Sequence, residues 1–254
     1  KRAAPVLVVV LWGEHLAALC AATGDEQAAL LDLPRELVER ICSSALEAPD
    51  RHAAQRQISS TLPQLESPLP GLKNSGLFAF HELEHGVPAR PDWAEATRCA
   101  GEILALRGRE LIQGLGFQIQ TTPSPVSVLL ANGTRMAVAV FLERPEQIEP
   151  PSAAYDNLSP VSYALAAANR ENLPYVVVSA GASLRVYPAE PSVGAGRRGR
   201  TETFVEIDLG LLSDARAGYL WLLCSAAALT SGGSFEASCS SSLMPSHSPQ
   251  RSAI

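Results

Sequence analysis

The chain has 254 residues, 46% of them hydrophobic, a formal net charge of −6 and a mean hydropathy of +0.08. That is enough apolar material for one or two buried cores. The acidic balance excludes a protein that coats nucleic acid by neutralising phosphates, although a local basic patch stays compatible with it.

No apolar run approaches the ~20 residues of a membrane span, and the run Val6 to Trp12 is too short for one and lacks the processing site of a signal peptide. The expectation is a cytoplasmic protein with no membrane partner. Cys20, Cys42, Cys99, Cys224 and Cys239 are odd in number, irregularly spaced and without a C-x-x-C pair, which argues against a disulfide framework or a zinc ribbon. Only Lys1 and Lys73 are lysine, against eighteen arginines, a bias read as GC-rich coding.

The first elements are apolar runs at Val6 to Trp12, Leu16 to Cys20 and Ala28 to Leu33. Pro34 then opens a helix with Leu37, Val38, Ile41, Cys42 and Ala45 on one face. Residues 1–50 are therefore expected to form a small α/β subdomain, a β-meander capped by a helix. Residues 51–90 contain many prolines and read as a connector with a short helix. Next, Ala96, Cys99, Ala100, Ile103 and Leu104 recur at helical spacing until Gly114 stops the helix.

The strongest local signal follows. Asn132-Gly133 lies between two apolar runs and accepts the positive φ values of a type I′ turn, so Ser127 to Ala131 should pair with Arg135 to Leu142. Val161, Leu165 and Ala168 then mark a helix that Pro174 ends before the strand Val176 to Val178. The order is β-β-α-β. From Ser231 onward the chain is dense in Ser and Pro, and residues 231–254 are expected to be a disordered tail. That change of character, together with a first residue other than Met, suggests a fragment of a longer protein.

This order, with GLFAFHELEHGVPARPDW before it and TETFVEIDLGLL and AGYLWLLCSAAAL after it, resembles the restriction-endonuclease-like core of Eco57I-type (type IIG) restriction-modification enzymes over roughly residues 70–230. The resemblance implies an α/β fold in residues 91–230, a mixed sheet flanked by helices, in a protein of restriction-modification or phage defence. DNA would be the partner of the parent protein. A downstream adenine methyltransferase domain would use S-adenosylmethionine, with no cofactor in this chain itself.

Such cores cut DNA with an Asp at the start of the second hairpin strand and a Glu-x-Lys on the next, which hold Mg²⁺ and activate water. Here those places read Pro123-Ser124-Pro125-Val126-Ser127 and Ala139-Val140-Phe141-Leu142-Glu143-Arg144, and neither lysine lies near. Glu143 is the one candidate remnant of a catalytic residue. The chain is expected to be non-catalytic by itself and to position DNA or the missing methyltransferase.

Three further motifs carry their own readings. His81-Glu82-Leu83-Glu84-His85 matches H-E-x-x-H, which on a helix holds Zn²⁺ with a glutamate as general base, so a zinc metallohydrolase with Glu95 or Glu102 as third ligand is the rival reading. Gly86 and Pro88 follow at once and no third histidine does, which favours two helix-end histidines and no metal site. Gly194 to Gly199 matches G-x-G-x-x-G but lacks the strand before and the helix after that a cofactor loop needs; its arginines Arg197 and Arg198, with Arg200, are candidates for phosphate contact. Asn172-Leu173-Pro174-Tyr175 resembles the methyltransferase N-P-P-Y motif, but it precedes a strand where that motif ends one. A non-catalytic protein-interaction module is the third reading. If a methyltransferase packs on this chain, Leu220 to Leu229 should be exposed.

Overall fold

In the computed structural model, residues 6–12, 16–22, 30–46, 48, 50–65, 67–190, 193 and 199–243 are described. They belong to two compact units, residues 1–71 with 210–213, and residues 72–209 with 214–254. The boundary thus falls after Gly71, inside the stretch expected to be a connector.

In the first unit, β1 (Val6–Trp12), β2 (Leu16–Ala22) and β3 (Leu30–Pro34) form an antiparallel meander, followed by helix α1 (Arg35–Leu46). The expected connector begins instead with a second full helix, α2 (Arg51–Leu65), packed on α1. Its start was legible in Asp50, whose carboxylate accepts the backbone N–H groups of His52 and Ala53 at 2.7 and 2.8 Å. Those two bonds, Ala53 first, hold the Asp50 carboxyl below the usual range, as an N-cap does. Among the described residues, Leu37, Val38, Ile41, Leu65 and Leu211 form a buried core. Leu211 comes from the returning segment 210–213, which Arg40 ties down by donating to the Leu212 carbonyl at 3.0 Å. Gly71, at φ +80°, lies so close that a Cβ there would come within 2.5 Å of the Leu212 nitrogen.

The second unit is a seven-stranded mixed sheet with helices on both faces. Its strands are β4 (Leu72–Ser75), β5 (Gln118–Thr121), β6 (Ser127–Ala131), β7 (Thr134–Leu142), β8 (Tyr175–Ala180), β9 (Ser183–Pro188) and β10 (Phe204–Asp208), in the order β4-β10-β9-β8-β7-β6-β5. The expected hairpin is present: Asn132 and Gly133 take φ +50° and +78°, and Ala131 pairs with Thr134 across the two-residue turn. Among the described strands β7 and β8 are the one parallel pair. A parallel pair needs a crossover, and α5 (Pro160–Arg170) supplies it. That helix starts where Ser159 Oγ accepts the Ser162 N–H at 3.1 Å with Pro160 in the first turn.

Alternation along the strands divides the apolar residues between two cores. Val128, Val138, Val140, Val176, Val178, Tyr187 and Phe204 meet Val161, Ala164, Leu165 and Ala168 of α5. The other face is covered by helices α4 (Gly108–Gly114) and α7 (Ala226–Leu229). The single helix expected up to Gly114 is in fact two, α3 (Trp93–Ile103) and α4, because the chain breaks at Gly108, which adopts φ +56°. Helix α6 (Gly218–Cys224) packs along α3, and α8 (Ser234–Leu243) packs on α6 and α7. The expected disordered tail is therefore helical as far as Leu243, with Phe235 and Ser238 buried; residues 244–254 lie outside the described residues.

The α3–α6 contact depends on a missing side chain. A Cβ at Gly218 would stand 2.8 Å from Thr97 Oγ1 and 2.9 Å from the Trp93 ring. Gly218→Ala should therefore cost about 1–3 kcal/mol by overpacking, read as a lower denaturation midpoint, whereas Gly101→Ala on the same α3, where nothing lies within 4 Å, should cost nothing.

Candidate functional site

The place expected to hold a nuclease triad is well defined. Ser127 is the Cα partner of Ala139 across the β6–β7 pair, and Phe141 follows two residues on, so all three share one sheet face. Arg109 of α4 lies over that face, its guanidinium 4.5 Å from the centre of the Phe141 ring and its Nη2 3.5 Å from Ser127 Oγ. The stretch expected of the catalytic Asp thus ends in a hydroxyl, the stretch expected of Glu-x-Lys offers a methyl and a phenyl ring on this face, and a cation stands above them. One neutral oxygen beneath a guanidinium does not fit Mg²⁺, which takes carboxylate oxygens. Glu143, beyond the end of β7, is exposed; its backbone N–H, with that of Arg144, caps the Gln147 side-chain oxygen at 3.0 and 3.1 Å. Among the described residues it joins no group of three or more side chains that could hold a metal ion.

A second polar centre, which no sequence motif marks, lies on the α5 side of the sheet. Arg185 on β9 is 9% exposed. Its Nη1 donates to Glu149 Oε1 at 2.8 Å and to Tyr187 Oη at 3.2 Å, and its Nε sits 3.0 Å from Glu206 Oε2 on β10. That last contact is close in distance but not aligned as a hydrogen bond. Ser183 Oγ donates to the other Glu206 oxygen at 2.7 Å, and the guanidinium rests 4.7 Å from the Phe204 ring centre. Lys73 is the cross-strand partner of Glu206, with its Nζ 5.6 Å from the same ring.

A lysine and a carboxylate are thus cross-strand neighbours on this sheet, on β4 and β10, with β8 and β9 between them and the strand where the resemblance places such a pair. The arrangement still does not fit a divalent cation, because the Arg185 guanidinium already stands between Glu149 and Glu206 where the ion would sit. Charged residues in the middle of the apolar strands SLRVYP and FVEID were the available signal, since buried charges occur in pairs. Burial pushes the Tyr187 hydroxyl up to about 12, against the opposing pull of Arg185. Tyr175 and Tyr219 are likewise raised to about 12, chiefly by burial.

The HELEH segment does not form a regular helix end. Residues Glu82–Gly86 make a wide π-type turn in which the Val87 N–H reaches back to the Glu82 carbonyl at 2.8 Å. Leu83 and Val87 are buried, while His81 and His85 project outward with their rings stacked, centroids 4.6 Å apart. Neither proposed third ligand reaches them: Glu95 and Glu102 are both paired with Arg98 on α3, at 2.6 and 2.8 Å. Among the described residues no group of three or more His, Cys, Asp or Glu is placed to hold a metal ion.

Of the arginines expected to touch phosphate, Arg197 and Arg198 lie outside the described residues, and Arg200 opens a short 3₁₀ turn, Arg200–Glu202, before β10. Asn172, at φ +52°, ends α5, and Tyr175 begins β8, so the NLPY segment precedes its strand. Leu220 to Leu229 is not an exposed apolar face: Leu220, Leu222, Leu223, Cys224 and Leu229 are at most 3% exposed, because α6 and α7 bury their apolar sides against α3, α8 and the sheet. Among the described residues no helix is long and apolar enough to cross a membrane.

Removing Arg185 leaves Glu206 charged and largely desolvated, while Glu149 stays in solvent. Arg185→Ala should cost about 3 kcal/mol by chemical denaturation, and Arg185→Leu combined with Glu206→Leu should recover much of that loss. The tyrosines give an alkaline prediction. Their phenols stay protonated in the folded chain up to about pH 12, while the unfolded chain releases its protons near pH 10. Stability present below about pH 10 should therefore decline as pH rises towards 12, with tyrosinate absorbance appearing together with loss of circular dichroism.

No family model, no curated protein and no solved structure matches the chain.

Proposed function

We propose that the second unit is a restriction-endonuclease-like core that has lost its cutting triad and positions DNA within a cytoplasmic restriction-modification or phage-defence protein, whose methyltransferase domain and S-adenosylmethionine site lie outside this chain. The observation that carries the reading is the strand arrangement. A three-stranded antiparallel meander, β5-β6-β7, is followed by the crossover helix α5 and then by β8, parallel to β7 within an otherwise antiparallel sheet. This extends the β-β-α-β order on which the resemblance rests.

The side chains at the expected triad support DNA positioning over cleavage. Arg109 is exposed and held by Phe141 and Ser127 at the sheet end, where a guanidinium can pair with a backbone phosphate without any metal. A cation stacked on a ring keeps its charge while losing side-chain freedom, so less ordering cost remains to be met on binding. The zinc metallohydrolase reading gains no support, because its third ligand is missing among the described residues.

The test is duplex DNA binding measured by fluorescence anisotropy across a salt series. Binding weaker than about 10⁻⁶ M at physiological salt and falling with salt is expected, and Arg109→Ala should reduce the slope of log K against log salt by about 1. Incubation with Mg²⁺ should leave the DNA intact. Cleavage abolished by Glu143→Ala would overturn the loss of the triad, and absence of binding at every salt concentration would favour a protein-interaction module.

A further inference from the structure

The stacked histidines of the π-type turn have no part in the DNA reading and stand independently of it. We propose that His81 and His85 form a two-histidine surface site for a borderline divalent transition-metal ion, Zn²⁺ or Ni²⁺, with the remaining coordination positions open to water.

Three observations converge on this pair. The two rings are adjacent and exposed, with centroids 4.6 Å apart and planes inclined by 26°; stacked, their lone pairs lie in nearly parallel planes, and turning both rings out of the stack brings one nitrogen of each to a common ion. The backbone beneath them is fastened. Leu83 and Val87 are at most 1% exposed, and the Leu83 carbonyl accepts the Tyr219 hydroxyl at 2.5 Å, which stops the turn from relaxing into a regular helix that would reposition the rings. Insertions of this kind recur at functional sites. Finally, Glu84 Oε2 lies 3.6 Å from His85 Nδ1, beyond hydrogen-bond reach but close enough for its negative charge to favour a cation held beside that ring.

The chemistry selects the ion. Neutral imidazole suits Zn²⁺, Ni²⁺ and Cu²⁺ and discriminates against Mg²⁺ and Ca²⁺, which require oxygen. With two protein ligands the site is open, unlike a closed four-ligand structural zinc site, so folding does not depend on the ion. Glu82 does not act as a third ligand here: its carboxylate lies back over Gly86, where an added Cβ would collide with it. Arg90, the basic group near that carboxylate, is engaged with Asp92 at 2.8 Å.

The test is calorimetric titration of the full chain with NiCl₂ and with ZnCl₂ at neutral pH. The expected result is a saturable site that disappears in the His81→Gln/His85→Gln variant and weakens about ten-fold in Glu84→Gln. Both variants are exposed substitutions whose folding far-ultraviolet circular dichroism checks. In the unaltered chain, Ni²⁺ should selectively broaden the ring-proton resonances of His81 and His85 and spare that of His52. No saturable binding, binding that survives the double substitution, or broadening confined to other histidines would each overturn the proposal. DNA affinity is unaffected in every case, so failure here and failure of the DNA reading are separable.

Discussion

The parallel contact between β7 and β8 is the constraint from which the rest of the second unit follows. Two parallel strands cannot be joined by a tight turn, so the chain has to cross one face of the sheet, and α5 with the loop before it does so. The crossover buries one face, and because both strands are apolar on both sides the opposite face needs its own cover. Helices α4 and α7 meet that need, with α3, α6 and α8 packed behind them. The carboxyl ends of β7 and β8 also come to lie side by side, which brings Gly181 within 3.0 Å of the Glu143 carbonyl for any added Cβ and concentrates loops at one end of the sheet.

The electrostatics of that sheet follow one rule twice. On each face of the sheet an arginine stands among the polar side chains: Arg109 over Ser127 and Phe141 on one, and Arg185 between Glu149 and Glu206 on the other. A guanidinium is a fixed cation that cannot polarise water as a metal ion does, but it pairs with oxyanions at no cost in protonation. The two sites differ in access. Arg109 faces solvent and has charge to offer a ligand, whereas Arg185 is buried and its charge is consumed internally.

The parts of this architecture that could be read from residues alone were those set by local chemistry. The Asn132-Gly133 hairpin, the Ser159-Pro160 start of α5 and the β-branched run of β8 all lie where turn type, capping and periodicity place them. What escaped was either masked by composition or created by distance along the chain. Proline content hid α2, although Asp50 marked its start, and Ser-rich composition hid α8, whose Phe235 packs edge-on against Phe78 and Tyr175. The pairing of Glu206 with Arg185 and Lys73 joins three strands far apart in sequence, and no local pattern encodes it. The wide turn at His81 to Val87 was equally hidden, since H-E-x-x-H reads as a regular helix until the backbone bonds are seen.

The short return of residues 210–213 into the first unit has a consequence for biosynthesis. Leu211 belongs to the core of Leu37, Val38 and Ile41, and the Leu212 carbonyl accepts from Arg40. A chain emerging from the ribosome presents residues 1–71 first, yet their core stays incomplete until the whole of 72–209 has followed. At ordinary elongation rates of about 5–20 residues per second, that interval is on the order of ten seconds. During it the first unit waits for a segment made well over a hundred residues later, and its lifetime in the cell becomes tied to the pace of translation.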